Sequence, residues 1–143
     1  MKNILVVCIG NICRSPMAQG ILATQLPQVS VSSAGIGALV GMPADDKAQS
    51  LMRMRGIDIG GHFARQVTQG MCTQSDLILV MDSEQRRHLE EAYPLACGKI
   101  FRLGEFSKKD IPDPYRQSQE AFRDVLTLID EGVHEWLHRI QKL

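Results

Sequence analysis

The stretch from Ile4 to Pro16, ILVVCIGNICRSP, constrains this chain most. Its first four residues are β-branched or leucine, and a short apolar run without polar alternation predicts a strand buried on both faces, as in a parallel sheet. Gly10 and Asn11 then supply the two residue types that tolerate left-handed or close-approach backbone, and Ser15-Pro16 predicts a helix start with Pro at the first helical position. Strand, tight loop and helix N-terminus in that order make an anion cradle. The loop turns backbone N–H groups inward and the helix adds the positive end of its dipole. Cys8 lies at one end of the loop and Arg14 at the other.

An Arg guanidinium holds two oxygens of a phosphate in a bidentate fork, and a thiol among N–H donors at a helix N-terminus ionises more readily than a free one. A thiolate beneath a bound phosphoryl group is a nucleophile for phosphorus. The bare Cys-x5-Arg-[Ser/Thr] spacing arises by chance in roughly a few per cent of chains of this size with this many cysteines. The strand before it, the Gly and Asn inside it and the Ser-Pro after it make this instance far more specific. It resembles the signature of the protein tyrosine phosphatases, and CIGNICRSP near the N-terminus is similar to the low-molecular-weight class. The resemblance implies Cys8 as nucleophile, Arg14 as phosphate clamp, and Ile9, Gly10, Asn11, Ile12, Cys13 and Ser15 as the remaining phosphate-binding loop, with no metal and no cofactor.

Hydrolysing a phosphate ester through a thiolate also needs a proton for the leaving oxygen and then a base for the attacking water. One carboxyl group can do both. Asp113, stiffened between Pro112 and Pro114 in a loop after a strand, is the candidate. Asp-Pro taken alone reads more readily as a turn. The family's general acid lies in such a loop near the C-terminus, and Asp113-Pro114-Tyr115 resembles it. Tyr115 is expected at the mouth of the pocket, where it can stack on an aryl group. Vertebrate members commonly have a second tyrosine next; Arg116 stands here instead.

Further matches are supporting. Asn11 in a left-handed conformation needs side-chain partners, and Ser15, Ser33 and His62 resemble the polar residues that brace the loop, within a segment GHFARQ that follows the family pattern. For His62 a plain surface-loop role is the alternative. Leu39 and Val40 stand at the expected pocket rim, where many eukaryotic members carry an aromatic residue. For Cys13 the resemblance implies a reversible disulfide with Cys8 that protects the nucleophile, and a small buried filler is the equal alternative. Cys72 and Cys97 are expected to be structural. SAGIGALVG and IPDPYRQSQEAF are most similar to bacterial members that accompany capsule and exopolysaccharide export, whose usual substrate is a tyrosine autokinase. The partner so implied is a phosphotyrosyl protein of that kind.

A chain of 143 residues is long enough for one domain with a continuous core, and a formal net charge of zero leaves no electrostatic footprint for nucleic acid or an anionic membrane. No apolar run approaches a membrane span, and the apolar stretch in MKNILVVCIGN is too short for a secretory signal, so a cytoplasmic monomer is expected. The four cysteines form no paired Cys-x-x-Cys units and are expected as free thiols in a reducing compartment.

Beyond the first strand, the expected elements are a helix over 16–26, a strand over 29–33, a helix over 44–55 stopped by Gly56, a strand over 77–81, a charged helix from Asp82 to about Tyr93, a weak strand over 99–103 and a final helix over 118–142. In the last helix Phe122, Val125, Leu126, Ile129, Val133, Trp136, Leu137 and Ile140 fall within an arc of ~120° at about 100° per residue. The expected fold is α/β: a single-domain three-layer sandwich with a four-stranded parallel sheet and helices on both faces. Ligands of such sheets bind at the carboxyl ends of the strands, where the first loop lies.

Three rival readings are weaker. His134-Glu135-Trp136-Leu137-His138 matches the zinc protease signature His-Glu-x-x-His, but both histidines fall away from the apolar stripe and no third ligand is at hand nearby. Arsenate reductase shares the fold and the loop, yet needs a relay of two further cysteines close in sequence, and Cys72 and Cys97 are far apart. A module that only binds phosphotyrosine would not require Asp113.

Overall fold

The computed structural model describes residues 1–142. A four-stranded sheet, all parallel, runs in the order β2-β1-β3-β4, with β1 at Asn3–Cys8, β2 at Ser30–Gly35, β3 at Leu77–Val80 and β4 at Ile100–Arg102. The helices are α1 (Arg14–Gln25), α2 (Asp46–Arg53), α3 (Gln69–Gln74), α4 (Ser83–Ala92) and α5 (Gln119–Ile140), with a 3-10 turn at Pro94–Lys99.

Alternation along the buried strands sorts their side chains into two cores. Ile4 and Val6 of β1 and Leu77 and Leu79 of β3 face α1, α2 and α5, meeting Met17, Leu22, Met52, Phe122 and Ile129. Leu5, Val7, Ile78 and Val80 face the opposite way, onto Cys72 of α3 and Leu89 of α4. Helices thus cover both faces, and the continuous apolar runs of β1 and β3 follow from that double burial. The apolar stripe of α5 packs into the same core. Phe122, Val125, Leu126, Ile129, Val133, Trp136 and Ile140 are all buried, while Leu137 is only partly so. Each such side chain contributes about 1.5–3 kcal/mol of gross transfer free energy.

The structure moves one boundary that matters. Helix α1 starts at Arg14, two residues before Pro16, so Pro16 is its third residue. Pro is tolerated there because none of the first turn's N–H groups has an intrahelical acceptor. No side chain caps α1 and its first turn holds no acidic residue. Its leading N–H groups therefore remain available at the cradle. Strand β2 begins one residue later than expected and extends to Gly35, whereas α2 is shorter than expected because Asp45 is its N-cap, accepting from the Lys47 N–H. Helix α3, capped by Thr68, has no counterpart in the expectations; its six residues are too few for a periodic pattern.

Between β1 and β3 the chain order reverses, β1 connecting to β2 on one side and β3 to β4 on the other. The crevice at the carboxyl ends of such a pair is where parallel sheets bind ligands. Cys8 ends β1, Asp82 follows β3 as the N-cap of α4, and the loop carrying Asp113 follows β4.

Candidate active site

Every carbonyl from Cys8 to Ile12 is engaged outside the loop. Cys8, Ile9 and Gly10 accept from the N–H groups of Ile36, Gly37 and Leu39 at 2.9, 3.0 and 3.0 Å, and Ile12 accepts from Asp45 at 2.8 Å. The Asn11 carbonyl accepts from His62 Nε2 at 2.6 Å. With the carbonyls pinned outward, the peptide N–H groups of the loop face its interior. Gly35 allows the approach: a Cβ there would lie 2.4 Å from the Ile9 carbonyl oxygen.

Asn11 is the hinge of this arrangement, in the left-handed region at φ 60° and wholly buried. Its Oδ1 accepts from the Arg65 N–H at 2.9 Å, and its Nδ2 donates to Ser15 Oγ at 2.8 Å and Ser33 Oγ at 3.0 Å. Ser33 in turn donates to Gln19 Oε1 at 2.6 Å, and Gln19 Nε2 donates to the Val31 carbonyl. These contacts fix the polarity of the network. Ser15 Oγ, having accepted from Asn11, has its own hydrogen free for Cys8 Sγ, 2.9 Å away. The Asn11 N–H adds a second donor to the same sulfur at 3.3 Å. Two donors thus point at the Cys8 sulfur.

Arg14 is only 2 % exposed. Its Nη1 donates to the Ile111 carbonyl at 2.8 Å and lies 3.7 Å from Asp82 Oδ2, while Nη2 lies 3.6 Å from Asp113 Oδ2. Its Nε is buried without a hydrogen-bond partner. Asp113 is exposed, and its Oδ1 accepts from the Tyr115 N–H at 3.1 Å, closing a short turn that holds the carboxyl over the cleft. Tyr115 stands at the mouth, its ring 5.2 Å from the Arg116 guanidinium. Cys8, Ile9, Gly10, Ile12, Cys13, Arg14, Gly37, Leu39, Asp113 and Tyr115 enclose a cleft of about 130 Å³.

The loop, Arg14, Asp113, Leu39 and Tyr115 thus converge on one cleft. Ser15, Ser33 and His62 lie behind the loop, and Val40 is exposed and outside the cleft lining. The Cys13 thiol is pushed far up, chiefly by burial and then by the carboxylates of Asp45 and Asp113. Asp82, Ile111, Gln19 and Arg65 were absent from the expected set. Asp82 carried a usable signal, as a helix cap at the end of the strand beside β1; the other three are brought in by tertiary packing alone. Cys72 is buried away from the cleft, and Cys97, expected to be structural, is exposed, so no cysteine relay adjoins Cys8. His134 and His138 are exposed on α5, and among the described residues no three metal-ligating side chains gather.

A parallel sheet whose switch-point loop holds a thiol, a ring of inward N–H groups and a buried guanidinium defines a thiol-dependent phosphatase of the single-domain α/β class. The family model of low molecular weight phosphotyrosine protein phosphatase matches residues 3–143, and the chain belongs to that family. It is 53% identical over 143 residues to a probable low molecular weight protein-tyrosine-phosphatase, EpsP, of Ralstonia solanacearum, covering 100% of this chain and 99% of that one. It is 44% identical over 136 residues to the low molecular weight protein-tyrosine-phosphatase Wzb of Escherichia coli K12, covering 94% and 92%. Among solved structures, Vibrio vulnificus Wzb in complex with benzylphosphonate superposes with a TM-score of 0.93 at 43% identity, covering 96% of this chain and 98% of that one.

Proposed function

We propose that this protein hydrolyses phosphotyrosine in proteins through a phosphocysteine on Cys8. The observation that carries this reading is Arg14, buried at the cleft with Nη1 bonded to the Ile111 carbonyl, Nη2 3.6 Å from Asp113 and Nε without an acceptor. A buried guanidinium N–H left unpaired is costly, and an anionic oxygen in the cradle would satisfy it.

In the first step Cys8 Sγ attacks phosphorus in line. The S–P bond forms as the P–O bond to the phenol breaks, and the Asp113 carboxyl gives its proton to the leaving oxygen. The loop N–H groups and Arg14 stabilise the charge on the three equatorial oxygens. In the second step Asp113, now a carboxylate, takes a proton from water as that water attacks phosphorus. The S–P bond breaks and inorganic phosphate leaves. Ser15 and the Asn11 N–H receive the returning thiolate.

Leu39, Tyr115 and Ile9 make an apolar throat above the sulfur, which suits an aryl group; a phosphoserine side chain is too short to bring its phosphorus down to Sγ. The relative bound to benzylphosphonate, a phosphorus acid on a benzyl group, supports this preference. The resemblance to bacterial members of capsule and exopolysaccharide export, and the similarity to EpsP and Wzb, support a tyrosine autokinase as substrate. Phosphate release from matched phosphotyrosyl and phosphoseryl peptides, in EDTA, tests the reading: release from phosphotyrosine alone is expected, and release from phosphoserine at a similar rate would overturn it.

A further inference from the structure

Among the described residues, two buried side-chain donors have no hydrogen-bond partner: Arg14 Nε, which the phosphate of the proposed reaction would satisfy, and Gln85 Nε2, which that reaction leaves unpaired. Both residues line one groove, which adjoins the catalytic cleft and shares Ile9, Arg14 and Asp113 with it. The groove is about 450 Å³ and is completed by Ile36, Asp82, Glu84 and His88. That lies within the roughly 300–1,000 Å³ of ordinary ligand pockets. The proposed reaction uses the cleft on one side of Ile9 and Asp113 and leaves the groove on the other side without an occupant.

Its chemistry is directional. Gln85 is 2 % exposed, spends its Oε1 on the Met81 N–H at 2.9 Å, and leaves its amide donors over at the groove wall. Ile9 and Ile36 supply an apolar flank. Asp82 and Asp113 both face Arg14, whereas the exposed Glu84 forms no ion pair among the described residues. His88, one α-helical turn further along α4, is the other titratable group on the groove. An apolar flank beside an unpaired carboxylate matches a lysine or arginine, whose methylenes cover the isoleucines while the cation reaches Glu84. A substrate carbonyl nearby offers an acceptor to Gln85.

Resting on the phosphotyrosine reading above, we propose that this groove seats a residue flanking the phosphotyrosine and selects a basic side chain there. Phosphotyrosine in the cleft passes Ile9 and Asp113 on its way out, so its neighbour in the chain is the segment that enters the groove.

The test is kcat/KM for phosphotyrosyl peptides that differ only by Lys against Glu at single positions on either side of the phosphotyrosine, with a free aryl phosphate as the reference for the chemistry. A surface charge pair supplies up to about a fivefold preference. The native protein is expected to favour Lys by about that factor at one or more flanking positions, less in high salt, and Glu84→Lys to abolish or invert the ratio. Because the ratio is read within each protein, a general loss of activity in the variant does not mimic the effect. Equal rates for Lys and Glu at every position, a preference for Glu, or an unchanged preference in Glu84→Lys would overturn the proposal while aryl phosphate turnover persists. Failure of the native protein on aryl phosphate and peptides alike would instead overturn the phosphatase reading beneath it.

Discussion

Asp113 and Arg14 face one another across the mouth of the cleft, with Oδ2 and Nη2 3.6 Å apart. One contact therefore ties the proposed phosphate clamp to the proposed acid. In the proposed reaction, a phosphoryl group entering the cradle would compete with the Asp113 carboxylate for the guanidinium and leave the displaced carboxyl beside the leaving oxygen.

Asp113→Asn keeps the size of the side chain and removes the proton. For a phosphotyrosyl peptide kcat is expected to fall ~10²–10⁴-fold. A nitrophenyl phosphate, whose leaving group needs little protonation, should lose much less. Equal losses on both substrates in steady-state assays would remove Asp113 from the role of acid.

Arg14→Lys retains a positive charge but not the planar fork, and Nη1 also holds the Ile111 carbonyl. A loss of ~10²–10³ in kcat is expected, the scale for removing one preorganised donor. Near-native turnover would show that a point charge suffices.

Much of this site was legible before the fold was known. The run Ile4–Val7 announced a doubly buried strand, Gly10-Asn11 a tight loop, and Pro112-Asp113-Pro114 a stiffened carboxylate. The α5 stripe was equally clear, because seven of its expected residues are buried by one face of a single long helix. Gln19, Arg65 and Ile111 were not legible. They act through an amide, a backbone N–H and a backbone carbonyl, groups that become specific only when α1, the segment after α2 and the loop after β4 meet the phosphate loop. The start of α1 was misplaced for a local reason: Ser15-Pro16 fits a helix entry, but the thiol-bearing turn itself enters the helix at Arg14.

Asn11→Ala would remove three side-chain hydrogen bonds and leave alanine at φ 60°. At ~1 kcal/mol each, with a further 1–2 kcal/mol for the backbone, a loss of about 4–5 kcal/mol is expected in denaturant unfolding. A loss below about 1 kcal/mol would contradict the bracing role.

Burial, only partly offset by the bond to the Asn11 carbonyl, lowers the His62 pKa from its ordinary 6.5, with Arg65 acting in the same direction as burial. The unfolded chain therefore takes up this proton first, so the stability present above pH 6.5 is lost as pH falls through 6.5 toward the lowered value. Thermal unfolding of the native protein and His62→Gln, compared from about pH 7.5 down to about pH 5, should show a steeper fall for the native protein. Parallel curves would mean that His62 titrates alike folded and unfolded.

The central claim is that phosphorus passes through Cys8. Rapid mixing of the protein with a phosphotyrosyl peptide carrying radiolabelled phosphate, quenching in denaturant and mapping the label by mass spectrometry tests it directly. The label is expected on Cys8 within the first turnover, with none on the Cys8→Ser protein and no turnover by it. Steady phosphate release with the label elsewhere, or native-like turnover by Cys8→Ser, would contradict it.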